Sequence, residues 1–221
     1  MIESEKLAQL INNIENNLLI HVKLRSIDTY EPIIAEHIPY PWTLIGSGNY
    51  AAVFSHPYYP EAVVKVYGEG RPGIEEEIEV YKKLGSNPAY SECFYHSSNY
   101  LILKKLNGIT LYDAIKKGFQ IPEKIIQDID NALDYASARG LHPHDVHFKN
   151  VMMNNNSGIV VDVSDFCHKE HCTLWEHSKK AYYKIYLPFF YKLHPPVPGF
   201  LLNLVRKCYQ FYKRTKESKL H

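Results

Sequence analysis

Three side chains in the second half of the sequence have the types and spacing needed to bring a base and metal ligands together. Asp145 is followed five residues later by Asn150, and the apolar stretch 159–161 leads directly into Asp162. An aspartate can accept a hydroxyl proton, and carboxylate and amide oxygens suit Mg²⁺. Taken alone, each residue is more often a loop or cap residue. Their order and spacing together predict a base and two Mg²⁺ ligands.

A lysine and a glutamate in the first half can complete such a site. Lys65 is flanked by alanine and valine residues, so a long cation emerges from a predicted apolar strand. Such a lysine can neutralise phosphate charge if a carboxylate fixes its position. Glu77 is the best partner because it lies on a predicted helix that follows the lysine strand. The neighbouring alternatives, whose ordinary role is a solvated helix face, are Glu75, Glu76 and Glu79.

A glycine repeat precedes the lysine. Gly46 and Gly48 open the stretch 46–53, which connects two predicted strands and therefore does not fit a dinucleotide-binding turn between a strand and a helix. Glycine permits a close approach of backbone to phosphate, and Val53 can cover an adenine ring. The pattern predicts a phosphate-covering hairpin, although an ordinary hairpin turn fits this short motif equally well.

Hydrophobic periodicity predicts the elements that position these residues. The predicted strands are 43–46, 52–55, 62–67, 93–96, 100–104 and 159–161. The predicted helices are an N-terminal one with Leu7, Ile11, Ile14 and Leu18 on its buried face, then 73–84, 111–116, one from Pro122 to a stop at Gly140, 175–186 and 200–212. A strand-rich first half and a helix-rich second half predict an α+β fold with a ligand cleft at their junction.

Over about residues 45–165 these motifs resemble those of the protein-kinase superfamily, including its short bacterial serine/threonine-kinase-like and RIO-type members. The resemblance implies a bilobal kinase-like fold, with an antiparallel-sheet N-lobe and a reduced helical C-lobe. We expect a single domain over residues 1–221, with a helical extension at 1–40, the N-lobe at 41–107 and the C-lobe at 108–221.

The resemblance also implies ATP and Mg²⁺ as cofactors, with Mn²⁺ as an alternative ion. Lys65 would anchor the phosphates, Glu77 would orient Lys65, and Asp145 would position or receive the substrate hydroxyl proton. Asn150 and Asp162 would bind the metal. Nucleotide contacts are implied for Ile45, Gly46, Gly48, Val53, Val63, Lys65, Leu103 at the back of the adenine pocket, Lys104 and Leu106 in the hinge 104–106, and Met152.

Several positions depart from the family pattern. The usual Asp-Phe-Gly is replaced by Asp-Val-Ser at 162–164, and Asp165 begins a competing Asp-Phe-Cys. His144 stands where many regulated kinases have arginine, so a phosphorylated loop lacks its usual anchor. His147 stands where most protein kinases have lysine and aminoglycoside phosphotransferases often have histidine. No Ala-Pro-Glu segment follows Asp162, which indicates a shortened peptide-docking platform.

Composition limits the location and the partners. Lys and Arg number 25 against 24 Asp and Glu, so no charge imbalance indicates a nucleic-acid or membrane partner. The chain shows neither a secretory signal pattern nor a membrane-spanning apolar run, and its four cysteines are scattered; we therefore expect a cytoplasmic location with reduced thiols. The cysteines and histidines of 167–172 are too crowded to favour a zinc site.

Three functions remain open at this level. The first is an ATP-dependent kinase that transfers the γ-phosphate to a protein hydroxyl, as a serine/threonine protein kinase does. The second is a small-molecule kinase acting on an aminoglycoside-like or choline-like alcohol, which His147 and the short C-terminal region favour. The third is a nucleotide-binding regulatory pseudokinase, which the altered Asp-Phe-Gly keeps open.

Overall fold

A computed structural model describes residues 2–26 and 31–201. The chain begins with a helix whose α-helical parts, α1 (Ser4–Asn13) and α2 (Leu19–His21), flank a π-helical turn (Ile14–Leu18). Of the predicted buried face, Ile14 and Leu18 are fully buried, while Leu7 and Ile11 are partly buried against the same core. Leu10, which was not predicted, is also buried. Most of the predicted helix 200–212 lies outside the described residues.

Two antiparallel sheets follow. The short strands β1 (Lys23–Arg25) and β2 (Ile34–Glu36) pair with each other and were not predicted. The main sheet has the order β3-β4-β5-β7-β6, and every neighbouring pair is antiparallel. Its strands are β3 (Thr43–Ser47), β4 (Ala51–Ser55), β5 (Ala62–Tyr67), β6 (Cys93–His96) and β7 (Tyr100–Lys104).

Strand β5 divides its side chains between two cores because alternate residues of a strand face opposite sides. Val64 and Val66 pack in the core that contains the N-terminal helix. Val63 and Tyr67 pack in the core that contains the helix following β5. Lys65 lies between these two residues in sequence and so shares their face. The extension therefore covers the back of the sheet, and Lys65 projects from its front.

The remaining elements form the front and lower part of the molecule. The helices are α3 (Ile74–Leu84), α4 (Leu111–Lys117), α5 (Glu123–Ser137) and α6 (Leu174–Ala181), and α6 continues as a π-helix (Tyr182–Phe190). The strands β8 (Ile109–Thr110), β9 (Val151–Asn154) and β10 (Ser157–Val160) form a small sheet of order β10-β9-β8. Gly108 (φ 144°) leads into β8, where a Cβ would lie 2.6 Å from the Met153 carbonyl oxygen. Only glycine allows this approach.

Most predicted elements are confirmed, and the differences have local causes. Helix α5 ends at Ser137 rather than near Gly140, because the Arg139 and Gly140 N–H groups bond to carbonyls three residues back and tighten the last turn. The strand predicted at 159–161 spans Ser157–Val160, where it forms a hairpin with β9. The helix predicted at 175–186 leaves α-geometry after Ala181; Pro188, in its π-helical part, has no N–H to donate.

Within residues 2–26 and 31–201, no helix combines the length and the apolar character needed to span a bilayer.

Candidate active site

A cavity of about 580 Å³ lies between the front of the main sheet and the loops around β9 and β10. This volume is in the range of small-molecule sites. Every residue predicted to bind nucleotide, perform catalysis or bind metal lines this cavity. The further lining residues used below are Tyr67, Ser91, Lys105, His147, Ser164 and Asp165.

The upper part of the cavity contains an ion pair. The Lys65 Nζ atom lies 2.7 Å from Glu77 Oε2 and 3.6 Å from Asp162 Oδ1. The side chains of Lys65 and Glu77 are 12% and 1% exposed. Glu75, Glu76 and Glu79 are exposed, as expected for the solvated face of α3. Packing of α3 against the sheet thus selects Glu77 as the neighbour of Lys65.

Electrostatics keep Lys65 charged despite its burial. Burial alone would lower the pKa of Lys65, but the carboxylates of Asp162 and Glu77 outweigh it and hold that pKa above its ordinary value. Burial raises the pKa of Glu77 and is partly opposed by Lys65. The result is a fixed cation at the end of the cavity, oriented by one buried carboxylate and facing a second.

The lower part of the cavity contains Asp145 and Asn150. The Asn150 Nδ2 donates to the Asp145 main-chain oxygen at 3.0 Å and to Asp145 Oδ2 at 3.3 Å. Asp145 has a left-handed backbone (φ 53°), which is uncommon for a residue with a side chain but is tolerated by aspartate. The loop that contains Asp145 and Asn150 is joined to the residue after β10, because the Val161 N–H donates to the Asn150 main-chain oxygen at 2.9 Å.

His147 affects the pKa of Asp145. Burial raises the pKa of Asp145, and a charged His147 lowers it, while the carboxylates of Asp165 and Asp162 add to the increase. The His147 Nε2 atom lies 3.8 Å from Asp145 Oδ1. In the neutral ring, His147 Nδ1 accepts from the Lys149 N–H at 3.3 Å, and the other ring nitrogen carries the proton that faces Asp145.

Asp162 and Asp165 occupy different places. Asp162 follows β10 by two residues and contacts Lys65. Its Oδ1 accepts from the Ser164 N–H at 3.2 Å and from the Ser164 hydroxyl at 2.9 Å. Burial would raise the pKa of Asp162, but Lys65 and these hydrogen bonds outweigh it, so that pKa is lowered. Asp165 lies 4.0 Å from His168 Nδ1 and makes no comparable contact with Lys65 within residues 2–26 and 31–201.

The glycine hairpin leaves room at the mouth of the cavity. A Cβ added at Gly46 or Gly48 would meet no protein atom closer than 3.9 Å, so internal packing does not require glycine at either position. Missing side chains here give the backbone access to a ligand instead. The hairpin is closed by the Gly48 N–H, which donates to the Ala51 oxygen, and Gly48 O accepts from the Ile33 N–H, each at 2.9 Å. The extension therefore supports the hairpin.

The predicted hinge offers fewer backbone groups than its length suggests. The Lys104 and Lys105 N–H groups each donate at 2.8 Å, to the Glu92 and Glu61 oxygens respectively. The Lys104 carbonyl accepts from the Ser91 hydroxyl at 2.8 Å and retains a second lone pair. The Leu106 N–H makes no backbone bond with any described residue. The groups left for an adenine base include the Lys104 carbonyl and the Leu106 N–H.

The donor atoms near Asn150 and Asp162 suit a hard cation. Hydrogen bonding of Asn150 uses Nδ2 and leaves Oδ1 for a metal, and Asp162 retains Oδ2. Mg²⁺ usually takes one or two protein ligands together with phosphate oxygens and water. Within residues 2–26 and 31–201, no group of three or more His, Cys, Asp or Glu side chains gathers as a metal cluster. In the segment 167–172, which was considered for zinc, Cys167 Sγ donates to the Glu76 main-chain oxygen.

Among the polar groups of the cavity that sequence reasoning missed, three bind predicted site residues directly. Tyr67 donates its hydroxyl to Glu77, Ser164 donates to Asp162, and Ser91 donates to the hinge. Tyr67 could have been found, because a residue two positions after Lys65 on a strand shares its face. Ser91 lies outside any strand or helix, and no pattern in the sequence indicates its contact.

The chain has a relative among known proteins and is similar to several solved structures. No protein-family model matches the chain. The Bacillus subtilis (strain 168) protein named "Putative serine/threonine-protein kinase YrzF" is 31% identical over 172 residues, which cover 76% of this chain and 79% of that protein. Similar solved structures include the Mycobacterium tuberculosis PknI kinase domain, at 22% identity and a TM-score of 0.43, and Rad53 in complex with AMP-PNP, at 15% identity and a TM-score of 0.47.

The PknI match covers 57% of this chain and 60% of the PknI chain, and the Rad53 match covers 74% and 46%. The match to the Bacillus relative extends over most of both proteins and includes identical residues at nearly a third of the aligned positions. The chain belongs to the protein-kinase-like superfamily.

Proposed function

We propose that this chain is a Mg²⁺-dependent phosphotransferase that moves the γ-phosphate of ATP to a hydroxyl group, with serine or threonine of a protein as the acceptor. The observation that carries the proposal is the position of Lys65 between Glu77 and Asp162, across one cavity from the Asp145–Asn150 pair. The name of the Bacillus relative supports the protein acceptor.

Each site residue has a separate role in the transfer. Lys65, kept charged by its carboxylate neighbours, neutralises the α- and β-phosphates, and the glycine hairpin covers them with backbone N–H groups. Asn150 and Asp162 would hold the Mg²⁺ ion, which supplies positive charge to the phosphate oxygens when bound. Asp145 holds the acceptor hydroxyl and takes its proton. The hydroxyl oxygen bonds to the γ-phosphorus while the bond to the β-phosphate oxygen breaks, and ADP leaves.

Transfer of labelled phosphate tests this function. The chain, Mg²⁺ and γ-labelled ATP are incubated with a pool of proteins, and the same reaction is run with Asp145→Asn and with EDTA. We expect labelled phosphoserine or phosphothreonine from the wild type, and a loss of about 10²–10⁴-fold in rate for the variant. Asp134→Asn is the matched control, because Asp134 is an exposed carboxylate on α5. Transfer by Asp145→Asn within threefold of the wild-type rate would contradict the role of Asp145.

A small-molecule acceptor is the second candidate, and His147 beside Asp145 is the observation that favours it. ATP consumption measured against sugars, aminoglycosides and choline-like alcohols separates the two candidates. Turnover with one of these alcohols, without labelled protein, would replace the protein acceptor. ATP binding without turnover on any acceptor would favour the regulatory pseudokinase.

A further inference from the structure

Tyr67 gives Glu77 a second partner within the same strand. Lys65 and Tyr67 are two residues apart on β5 and therefore share its front face. The Tyr67 hydroxyl donates to Glu77 Oε2, the oxygen that Lys65 also contacts. The Lys65 Nζ lies 5.8 Å from the centre of the Tyr67 ring. One carboxylate oxygen on α3 is thus held by two side chains of a single strand.

The position of Tyr67 is fixed by its surroundings. Its side chain is 5% exposed, and its N–H donates to the Asn99 oxygen at 2.9 Å. The next residue, Gly68, donates its N–H to the Tyr50 oxygen at 2.9 Å. Burial, with Glu77 nearby, raises the pKa of the Tyr67 hydroxyl, so this group keeps its proton and remains a donor. A rigid donor on the sheet therefore points at the carboxylate on the helix.

The segment after Asp162 gives α3 weaker polar support. Among residues 2–26 and 31–201, the hydrogen bond that joins the two is donated by Cys167 Sγ to the Glu76 main-chain oxygen, at 3.6 Å. In kinases the ion pair between the strand lysine and the helix glutamate must be in place for transfer, and loop phosphorylation often controls it. This chain has His144 where a phosphate-binding arginine would stand.

We propose that Tyr67 is a positioning residue that holds Glu77 against Lys65, so that the ion pair is assembled without phosphorylation of a loop. The consequence for transfer rests on the proposed phosphotransferase function, whereas the effect on α3 does not. Tyr67 would act by positioning Glu77 and Lys65, not by contacting the acceptor.

The structural test compares Tyr67→Phe with Tyr90→Phe in nucleotide-free protein. Tyr90 is the matched control because it is also fully buried and donates its hydroxyl, at 2.6 Å, to the Ala132 main-chain oxygen. Hydrogen–deuterium exchange is followed in the peptide that contains α3. We expect exchange there to be at least about fivefold faster in Tyr67→Phe and unchanged in Tyr90→Phe. Equal protection in Tyr67→Phe and the wild type would overturn the proposal, as would equal acceleration in both variants.

The kinetic test measures kcat and KM for ATP. We expect Tyr67→Phe to lower kcat roughly tenfold with little change in KM, because the hydrogen bond it removes goes to a charged group that positions the phosphate-binding lysine. Tyr90→Phe should leave both constants near the wild-type values. An unchanged kcat in Tyr67→Phe would overturn the positioning role. If the wild type transfers no phosphate, the proposed function fails, and the exchange measurement still decides the role of Tyr67.

A measurement on wild-type protein covers the case in which Tyr67→Phe does not fold. The protein is treated with a protein phosphatase, and loss of phosphate is verified by mass spectrometry. Protection of α3 that is unchanged from the untreated protein supports an ion pair assembled without phosphorylation. Loss of that protection after treatment would overturn the proposal, because it would show that phosphate holds the helix.

Discussion

The two walls of the cleft hold their charged groups in different ways. On the sheet wall, the side chains of Lys65 and Glu77 are 12% and 1% exposed, and they satisfy each other. On the loop wall, the side chains of Asp145 and Asp162 are each 44% exposed, and Asp162 Oδ2 accepts no hydrogen bond from a described residue. A buried charge must find its partner within the protein, whereas a half-exposed carboxylate can still bind a substrate or an ion. The sheet wall is therefore assembled in advance, and the loop wall is left to be completed by ligands.

The largest effect should follow from breaking the sheet wall. Glu77→Gln removes one of the two carboxylates that compensate Lys65, and the more deeply buried one. We expect the free energy of unfolding to fall by about 3 kcal/mol, because a buried charge loses a partner. Urea denaturation measures this change. Glu75→Gln, a substitution at an exposed glutamate of α3, should stay within about 0.5 kcal/mol of the wild type. Similar losses in both variants would contradict the distinction between the buried and solvated glutamates.

A double replacement separates the stability of the sheet wall from its chemistry. In Lys65→Met/Glu77→Leu both charges give way to apolar groups of similar size, and we expect the double variant to regain about 2 kcal/mol or more relative to Glu77→Gln. Phosphate transfer should be lost in the double variant, since no cation faces the phosphates. Urea denaturation and the labelled-ATP assay are run on the same preparation. Recovery of transfer would show that Lys65 is not needed for chemistry.

On the loop wall, His147→Gln should change the pH dependence of transfer. A protonated Asp145 cannot accept a proton, so the rate falls as the pH drops through the pKa of Asp145, which burial holds above the ordinary aspartate value. A charged His147 lowers that pKa, so its removal should move the acid limb to higher pH by about one unit or less. The measurement is kcat against pH. His168→Gln, beside Asp165, should leave the limb in place. An acid limb of the kcat–pH profile that moves to lower pH in His147→Gln would contradict the lowering of the Asp145 pKa by His147.

The smallest effect is expected for Ser164→Gly, which restores the glycine of the usual family motif. The change removes the 2.9 Å hydroxyl hydrogen bond to Asp162, worth about 1 kcal/mol, and frees the local backbone. We expect the concentration of Mg²⁺ at half-maximal rate to rise by about fivefold or less, with stability nearly unchanged. A Mg²⁺ titration of the transfer rate measures this shift. A Mg²⁺ requirement unchanged in Ser164→Gly would mean that Ser164 does not prepare Asp162 for the ion.

Prediction from sequence worked best where one local pattern determines one element. The strands Ala62–Tyr67, Cys93–His96 and Tyr100–Lys104 have the predicted bounds because turn residues such as Gly68 and Asn99 interrupt the apolar runs. It was weaker for β1, β2 and β8, which are two or three residues long and exist only through pairing with distant segments. A strand of that length leaves too few residues for an alternating pattern to be recognised.

The sequence by itself determined which residues could take part in the site: a lysine on an apolar strand, a glutamate-rich helix, and an aspartate and asparagine in one loop. It also determined their order, which is why the family could be identified from motifs. The tertiary structure decided which of four neighbouring glutamates lies beside Lys65, which of two aspartates reaches that lysine, and that Tyr67 contacts the same carboxylate. These choices depend on how α3 and the loop after β10 pack against the sheet. Such packing joins residues far apart in sequence, and no local pattern encodes it.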